Sequence, residues 1–375
     1  MSQAIEQLLR QAWTARGWLS CSLWPLSLMM HGLGWLRRRL YAWRIFNTTR
    51  LPVPIIVVGN VMVGGVGKTP IVIALVQHLR EQGWRVGVVA RGYGRSAQAQ
   101  QRQPVCEVTL HSSADDVGDE PLLVHQRCQV PVWVGAKRVD AAHALLAAHP
   151  QVQVIVSDDG LQHMAMSRDI ELCVFDERGV GNGWLLPAGP LREPWPRQSA
   201  TPEVPCFVVH TAPAAAGEAP QGFHLSRRLS DTAVQADGTQ RPLHHWQHHP
   251  VHALAGIAKP QAFFDMLQAQ GIQPRRALAL PDHASTAQLC EAAASLGKTA
   301  PEALNPVQPG NQTRTQPKAT PSDVLCTEKD AVKLWPHLPQ VWAVPLAVTL
   351  PDALLLELET ALQNAVQKKL EKPGA

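Results

Sequence analysis

The sequence predicts an α/β protein of two domains: a P-loop domain built on a doubly wound, mainly parallel sheet, and a smaller second α/β domain. Three observations support this prediction. Short apolar runs rich in Val and Ile alternate with helical stretches along most of the chain. A glycine-rich loop joins the first of these runs to the first helix that follows it. The length of 375 residues fits two domains of about 100–200 residues each.

The composition narrows the class of protein further. Hydrophobic residues make up 45% of the chain and charged residues 17%, so a mainly disordered protein is excluded. A net charge of only +4 argues against a dedicated nucleic-acid-binding protein. The seven cysteines include no C-x-x-C pair, which argues against a disulfide framework or a zinc ribbon.

The N-terminal segment, residues 1–50, differs chemically from the rest of the chain. It holds seven arginines, a single acidic residue and five of the twelve tryptophans. Residues 17–36 contain no charged side chain, and three arginines follow at 37–39. Tryptophan favours the membrane interface and arginine favours anionic headgroups, so we expect an N-terminal membrane-associated helix. The alternative is an apolar helix packed on the body of the protein.

The first domain is predicted to span residues 51–225. Its apolar runs are typical of buried parallel strands, which lack the polar alternation of half-exposed strands. Two stretches between them have helical character. The predicted strands are 54–59, 85–90, 131–134, 152–156, 170–175 and 204–209, and the predicted helices are 69–82 and 139–148.

The second domain is predicted to span residues 251–350, after an inter-domain hinge at 226–250. A closing helix and tail would occupy 351–375. The stretch 299–322 is rich in Pro, Thr, Gln and Asn without apolar periodicity, which predicts a flexible insertion. The predicted strands here are 251–257, 277–280, 323–326 and 341–344, and the predicted helices are 261–270, 286–296 and 352–368.

The glycine-rich loop directly follows the first strand. Glycines allow backbone N–H groups to converge on phosphate oxygens, and the next helix directs its positive end at the same anion. Lys68 can reach the β- and γ-phosphates and the Thr69 hydroxyl can bind Mg²⁺. Met62 stands where the usual pattern has glycine, and a glycine-rich turn with a chance Lys-Thr is the alternative. The predicted ATP-binding residues are Met62, Val63, Gly64, Gly65, Val66, Gly67, Lys68 and Thr69.

Two adjacent carboxylates, Asp158 and Asp159, end the strand that begins at Val154. Ligands of a parallel sheet bind beyond the carboxyl ends of its strands, and a P-loop enzyme needs an acid there for Mg²⁺. Neighbouring residues of a strand point to opposite faces, so the two carboxylates need not share a role. The alternative is a capped Asp-Asp-Gly turn.

Three further sites are ambiguous when taken singly. Asp119 and Glu120 could form only the acidic first turn of a helix, and His283 could be structural. Together, a carboxylate from one domain and a histidine from the other could activate a hydroxyl nucleophile in an inter-domain cleft. Arg192 could clamp a phosphate, or its Gly/Pro-rich segment could be a rigid surface loop.

The motifs, taken together and in this order, resemble those of the tetraacyldisaccharide 4'-kinase family, the lipid A kinases of Gram-negative bacteria. The resemblance covers most of the chain. It depends on the segments 57–60 with 64–69, 91–94, 118–123, 157–163, 181–194, 255–257 with Pro260 and Phe263-Phe264, 282–283 and 327–330.

The resemblance implies a kinase that uses ATP and Mg²⁺, with two α/β domains joined by a two-stranded hinge. The acceptor would be the 4'-hydroxyl of a tetra-acylated glucosamine disaccharide 1-phosphate, and the product lipid IVA. The N-terminal helix would associate with the inner membrane and the active site would face the cytoplasm. We expect the lipid substrate and the membrane surface as partners, no nucleic acid, and a monomer.

The resemblance also implies roles for individual residues. Asp119 and His283 would activate the acceptor hydroxyl, with Lys68 and Asp158 as further catalytic residues. The metal ligands would be Thr69, Asp158 and Asp159. The substrate-binding residues would be Asn60, Glu120, Gln162, Arg192 and Glu193.

Two other functions compete with the kinase. A P-loop ATPase switch of the Gly-Gly-x-Gly-Lys-Thr class would hydrolyse nucleotide with water and would need no lipid. A membrane-bound scaffold without catalysis would not need Lys68, Thr69, Asp158 and Asp159, all of which are present. The chain contains no Asn-Lys-x-Asp guanine-reading motif, so we expect ATP rather than GTP.

Overall fold

The computed structural model describes residues 11–197, 204–213, 220–297 and 322–371. The chain forms two compact units: a larger one of Met1–Arg227 with Ala347–Ala375, and a smaller one of Arg228–Leu346. These bounds differ from the expected ones. Most of the expected hinge at 226–250 belongs to the smaller unit, and the C-terminal segment belongs to the larger. Nearly all of the expected insertion at 299–322 lies outside the described residues.

The larger unit contains an eight-stranded sheet in the order β3-β4-β2-β5-β1-β6-β7-β8. All neighbouring strands in it run parallel except the β3–β4 pair. The mainly parallel α/β sheet predicted from the sequence is therefore confirmed. The strands are β1 (Ile55–Gly59), β2 (Val86–Ala90), β3 (Val105–Val108), β4 (Val132–Gly135), β5 (Val154–Asp158), β6 (Ile170–Phe175), β7 (Cys206–His210) and β8 (Phe223–His224).

The central strands are mostly apolar, as expected of strands that helices cover on the faces of a parallel sheet. Every residue of β1, β2, β5 and β6 is buried. The prediction missed β3, a four-residue antiparallel edge strand with three partly exposed positions. The helices of this part of the chain are α1 (Trp18–Ala42), α2 (Lys68–Glu81), α3 (Ala97–Arg102), α4 (Ala114–Val117), α5 (Asp119–Cys128) and α6 (Arg138–Ala148).

Helix α1 packs on the rest of the larger unit through two buried serines, and it exposes large apolar side chains. Ser20 and Ser27 are its buried residues. The Ser27 hydroxyl donates to the Leu185 carbonyl at 2.8 Å and accepts from the Ala188 N–H at 2.9 Å. Large apolar side chains of the same helix are exposed: Trp18, Trp24, Leu26, Leu28, Met29, Met30, Leu33, Trp35 and Leu36. Among the described residues, no helix is sufficiently long and apolar to cross a membrane.

The smaller unit contains a six-stranded sheet in the order β11-β10-β15-β14-β12-β13. Its strands from β12 to β15 pair in parallel, and β10 and β11 add an antiparallel edge. Helices α7 (Pro260–Ala269), α8 (Thr286–Gly297) and α9 (Glu328–Leu334) lie between its strands in sequence. The strands are β10 (Thr232–Val234), β11 (Gln240–Pro242), β12 (Val251–Ala255), β13 (Ala277–Ala279), β14 (Asp323–Thr327) and β15 (Trp342–Val344).

The chain passes between the two units twice, and both passages occur in strands. Strand β9 (Ser226–Leu229) contains the first passage and β16 (Leu346–Thr349) the second. These two strands form a separate two-stranded sheet. Helix α10 (Asp352–Glu371) then returns to the larger unit, where Lys369 forms an ion pair with Asp169 at 3.3 Å.

The strand order determines which loops meet in the larger unit. Strand β1 lies between β5 and β6, and the three run parallel. The segments that follow them therefore leave from the same edge of the sheet. These segments are the glycine-rich loop after β1, the paired carboxylates at the end of β5, and residues 176–197 after β6.

Candidate active site

The glycine-rich loop has the backbone geometry that its glycines were expected to allow. Gly64 and Gly67 adopt φ angles of +95° and +79°, and α2 begins immediately after Gly67. The segment after β6 holds the loop in place. The Val63 N–H donates to the Pro190 carbonyl at 2.9 Å, and the Arg192 N–H donates to the Val61 carbonyl at 2.7 Å.

Met62 does not take part in the loop through its side chain. That side chain is fully buried in the hydrophobic core of the larger unit, and the residue forms an isolated antiparallel bridge with Leu191. A glycine at position 62 would leave that part of the core empty. The departure from the usual P-loop pattern therefore serves packing and leaves the glycines around the helix start unchanged.

Lys68 lies at the first position of α2 and connects the loop to the acidic strand end. Its Nζ donates to Asn60 Oδ1 at 3.2 Å and lies 3.3 Å from Asp159 Oδ1. Asn60 is buried and donates from Nδ2 to the Met62 carbonyl at 2.8 Å. The structure thus brings Asp159, which is distant in sequence, to Asn60 and Lys68, as the parallel pairing of β1 and β5 allows.

The two carboxylates at the end of β5 have different environments. Asp158 is 5% exposed, and no donor in the described part of the chain forms a hydrogen bond with its Oδ1. Burial, followed by the charge of Glu120, raises the pKa of Asp158 to about 7. Burial also acts to raise the pKa of Asp159, but Lys68 and Arg192 outweigh it and lower that pKa. The pKa values of the two neighbouring carboxylates therefore shift in opposite directions, and their separate roles remain a prediction.

Arg138 is a site residue that the sequence analysis missed. It is buried at the start of α6 and donates from Nε to the Asp158 carbonyl at 3.3 Å and from Nη2 to the Asp159 carbonyl at 2.6 Å. The guanidinium therefore fixes the backbone of the acidic strand end. A single arginine in an alanine-rich helical stretch carries no sequence signal for this contact.

Asp119 and Glu120 begin α5, and both belong to the larger unit. Asp119 is only 2% exposed and accepts from the Glu120 N–H at 2.9 Å. Gly118 precedes them with φ +93°, and a Cβ there would lie 2.6 Å from the Tyr93 carbonyl oxygen. The charge of Glu120 raises the pKa of Asp158, so this helix start lies beside the carboxylates of β5.

Gln162 contacts Asn60 just before the loop, Arg192 contacts the acidic strand end, and Glu193 contacts Gln162. The Gln162 amide donates to the Asn60 carbonyl at 3.0 Å and to Glu193 Oε1 at 2.8 Å. Arg192 Nη1 lies 3.5 Å from Asp159 Oδ2. The structure therefore gathers all the predicted substrate-binding residues around one edge of the sheet.

Behind Glu193 lies a buried ion network formed by Glu171, Arg168, Arg197 and Glu193. Arg168 lies 3.1 Å from Glu171, and Arg197 pairs with both Glu171 and Glu193, the latter at 3.3 Å. Glu171 is 3% exposed, in strand β6. The sequence analysis missed this network because its members are spread over 30 residues without a local pattern.

A second ion pair, of an arginine and a buried carboxylate, also contacts the loop. Asp176 is 1% exposed and pairs with the Arg178 guanidinium at 2.8 Å. Arg178 Nη1 in turn donates to the Val63 carbonyl at 3.0 Å. Neither residue was singled out from the sequence.

His283 lies in the smaller unit, between β13 and α8, with an uncommon φ of +58°. Its Nε2 lies 3.3 Å from Lys329 Nζ and 3.9 Å from Asp282 Oδ1. Lys329 also pairs with Asp282 at 3.4 Å. The Asp-His and Thr-Glu-Lys-Asp motifs therefore form one cluster, although no role for Lys329 was predicted.

The Thr-Glu-Lys-Asp motif is fixed by its own buried carboxylate. Asp330 Oδ2 accepts from the Gly256 N–H at 2.9 Å and from the Thr327 hydroxyl at 2.6 Å. Burial raises the pKa of Asp330, while these hydrogen bonds act to lower it. The loop after β12 and the start of α9 are thereby held together beneath Lys329.

The loop, its lysine and the carboxylates at the end of the neighbouring parallel strand define the larger unit as a P-loop nucleotide-binding domain. Comparisons with known proteins identify the family. The family model described as "LpxK: Tetraacyldisaccharide-1-P 4'-kinase" matches residues 19–302. The chain belongs to the tetraacyldisaccharide 4'-kinase family.

Relatives and a solved structure agree with this assignment. Tetraacyldisaccharide 4'-kinase of Acidovorax ebreus (strain TPSY) is 47% identical over 360 residues, which cover 96% of each chain. That of Polaromonas naphthalenivorans is 46% identical over 367 residues, covering 96% of this chain and 95% of the relative. The crystal structure of LpxK from Aquifex aeolicus in complex with ATP matches with a TM-score of 0.70 at 25% identity, covering 93% of this chain and 99% of that chain.

Proposed function

We infer that this chain transfers the γ-phosphate of ATP to the 4'-hydroxyl of a tetra-acylated glucosamine disaccharide 1-phosphate, the step of lipid A biosynthesis that gives lipid IVA. The observation that carries this inference is the position of Lys68, between Asn60 of the loop and the Asp159 carboxylate, in a chain that belongs to this kinase family.

The loop residues 62–69 bind the phosphates of ATP in this proposal. The positive φ angles of Gly64 and Gly67 suit a loop whose N–H groups converge on an anion, and the N-terminus of α2 would add its positive dipole. Lys68 exchanges its contact with Asp159 for the β- and γ-phosphates when nucleotide binds. Its ammonium then stabilises the charge on the transferring group.

The residues beside Lys68 also fit a magnesium ion. Mg²⁺ takes oxygen ligands and is usually held by one or two carboxylates together with substrate phosphates. Asp158 offers a buried oxygen without a hydrogen-bond partner among the described residues. Thr69, the second residue of α2, offers a hydroxyl next to Lys68. Thr69 and Asp158 hold the ion in this proposal, with Asp159 beside them. The bound ion would neutralise charge on the phosphates.

A magnesium site of this kind does not require a large cluster of protein ligands. Among the described residues, no three His, Cys, Asp or Glu side chains gather as a metal site. Mg²⁺ needs no such cluster, because ATP and water supply the remaining oxygen ligands.

Asp119 and His283 act on the acceptor hydroxyl in this proposal. Asp119 is buried beside the carboxylates of β5, where a charged oxygen can hold or accept a proton close to the reacting groups. The His283 imidazole is the second group, and its Nε2 lies 3.3 Å from Lys329 Nζ. Asn60, Glu120, Gln162, Arg192 and Glu193 would orient the disaccharide and the phosphates.

In this proposal, helix α1 brings the enzyme to its lipid substrate. Its exposed Trp, Leu and Met side chains suit the acyl and headgroup boundary, while Ser20 and Ser27 anchor it to the body of the protein. The arginines at 37–39 suit anionic headgroups on the cytoplasmic side. We place the active protein, as a monomer, at the cytoplasmic face of the inner membrane.

Transfer of labelled phosphate tests the function directly. Purified protein in detergent is incubated with γ-labelled ATP and Mg²⁺, with and without tetra-acylated disaccharide 1-phosphate. The expected result is label on the lipid, reduced about a hundredfold or more in Lys68→Ala. Release of free phosphate at a rate that lipid does not change would support the ATPase switch instead.

A further inference from the structure

Arg227 lies against the phosphate-binding loop without a role in the site described so far. It is in strand β9 and is the last residue of the larger unit before the chain passes to the smaller one. A Cβ built on Gly67 would lie 3.5 Å from Arg227 Nη1. The guanidinium is therefore packed on the residue that precedes α2.

The other basic side chains around the loop are already paired. Lys68 lies 3.3 Å from Asp159, Arg192 lies 3.5 Å from the same carboxylate, and Arg178 is paired with Asp176. Among the described residues, Arg227 has no hydrogen bond or salt bridge, and the carboxylates of Glu177 and Asp176 act on it through their charge alone. Its guanidinium therefore has N–H donors available to an anion.

We propose that Arg227 is a nucleotide-binding residue that contacts the α- and β-phosphates of ATP. This proposal depends on the proposed function for the identity of the nucleotide. Guanidinium groups match phosphate oxygens geometrically and remain charged at every physiological pH.

The position of Arg227 determines which phosphates it contacts. Backbone N–H groups of a P-loop surround the α- and β-phosphates, whereas the lysine reaches the β- and γ-phosphates. Arg227 is beside Gly67 of the loop, and Lys68 is the residue that extends to the carboxylates of β5. Arg227 therefore contributes to binding of ATP and ADP alike, and the transferring phosphate does not depend on it.

Arg228 provides a matched control. It is the next residue of the same strand, is exposed, and pairs only at the surface with Asp231 at 3.3 Å. Replacing it removes the same charge from the same strand without affecting the loop. Since Arg227 is also exposed, we expect Arg227→Ala and Arg227→Gln to fold as the wild type does.

Titration with fluorescent ATP and ADP analogues, without lipid, tests the proposal. We expect Arg227→Ala and Arg227→Gln to weaken the binding of both nucleotides by a similar factor of about ten. Arg227→Lys should recover part of that lost affinity. Arg228→Ala should bind as the wild type does. In the transfer assay, KM for ATP should rise by about the same factor while kcat changes by less than about twofold.

Three results would overturn the proposal: unchanged affinity in Arg227→Ala, weaker binding of ATP with unchanged binding of ADP, or a lower kcat with unchanged affinity. The binding experiment also separates this proposal from the proposed function. If the wild type binds ATP but never phosphorylates the lipid, the kinase function fails, while the affinities of the Arg227 variants still decide the role of Arg227.

Discussion

At the scale of single residues, Glu171 is the centre of the buried ion network. It pairs with Arg168 at 3.1 Å and with Arg197, which also holds Glu193. Glu193 in turn accepts from Gln162, whose amide also donates to the Asn60 carbonyl. A change at Glu171 therefore alters both the stability of the larger unit and the orientation of groups beside the loop.

Glu171→Gln should be strongly destabilising because it leaves buried arginine charge without compensation. Breaking one partner of a buried ion pair typically costs about 3–5 kcal/mol, and we expect a loss of about 3 kcal/mol in the free energy of unfolding. Chemical denaturation measures this loss. The exposed Glu81→Gln should change stability by less than about 0.5 kcal/mol. Equal stabilities of the two variants would contradict the network.

The pH dependence of stability has an identifiable source at His163. Burial, followed by the charges of surrounding arginines, lowers the pKa of His163 to about 4. In the unfolded chain a histidine has a pKa of about 6.5. As the pH falls from about 6.5 towards 4, the unfolded state binds a proton that the folded state does not, so stability decreases.

His163→Gln should remove this contribution. We expect its melting temperature to fall less than that of the wild type between about pH 7 and pH 5, measured by thermal unfolding at several pH values. Parallel melting curves for the two proteins across this range would contradict the assignment of acid sensitivity to His163.

At the scale of secondary-structure elements, the sequence predicts the central strands and helices well. Strands β1, β2, β5 and β6 are buried on both faces, and that burial requires the continuous apolar runs by which they were found. Strand β3 was missed because it is short and half-exposed. Strands β10 and β11 have only three residues each, so their segment was assigned to a hinge.

Helix α1 exposes a set of large apolar side chains, and we propose that they contact the membrane. Met29 and Leu33 are each 55% exposed on it. Introducing Glu at both positions should lower the binding of the protein to vesicles that contain anionic phospholipid by at least about tenfold, because two apolar side chains no longer enter the interface. Co-sedimentation with vesicles measures this binding.

Leu110 provides the control for this experiment. It is 80% exposed in the turn that follows β3, and it does not line the cavity that the end of α1 borders, so Leu110→Glu adds a charge away from the proposed membrane surface. Vesicle binding by Leu110→Glu should match the wild type. Equal binding of all three proteins would show that α1 does not attach the protein to lipid.

At the scale of the whole molecule, the site residues that the sequence predicted are distributed over both units. Local motifs identified the loop, the carboxylates of β5 and Asp119, because each is a short pattern at a strand end or helix start. The contacts of Arg138, Arg197 and Lys329 could not be predicted, since they depend on how distant segments meet. Those three residues support the predicted groups from positions without a motif of their own.

The proposed cooperation of Asp119 and His283 belongs to this scale, because the two residues lie in different units. We expect Asp119→Asn and His283→Ala each to lower kcat by about a hundredfold or more while the affinity for ATP changes little. The kcat of the double variant should be about that of the slower single variant, because the effects of residues that act as a unit do not add. Independent, multiplying losses would contradict a shared role.

Transfer of phosphate to the 4'-hydroxyl of the acylated disaccharide can be observed on the product. The experiment is phosphorus NMR of the purified lipid that the wild-type protein forms from ATP. We expect a new phosphomonoester resonance, coupled to the proton at the 4' carbon, beside the resonance of the original 1-phosphate. A lipid that retains only its 1-phosphate resonance, with inorganic phosphate as the phosphorus product, would contradict the kinase function.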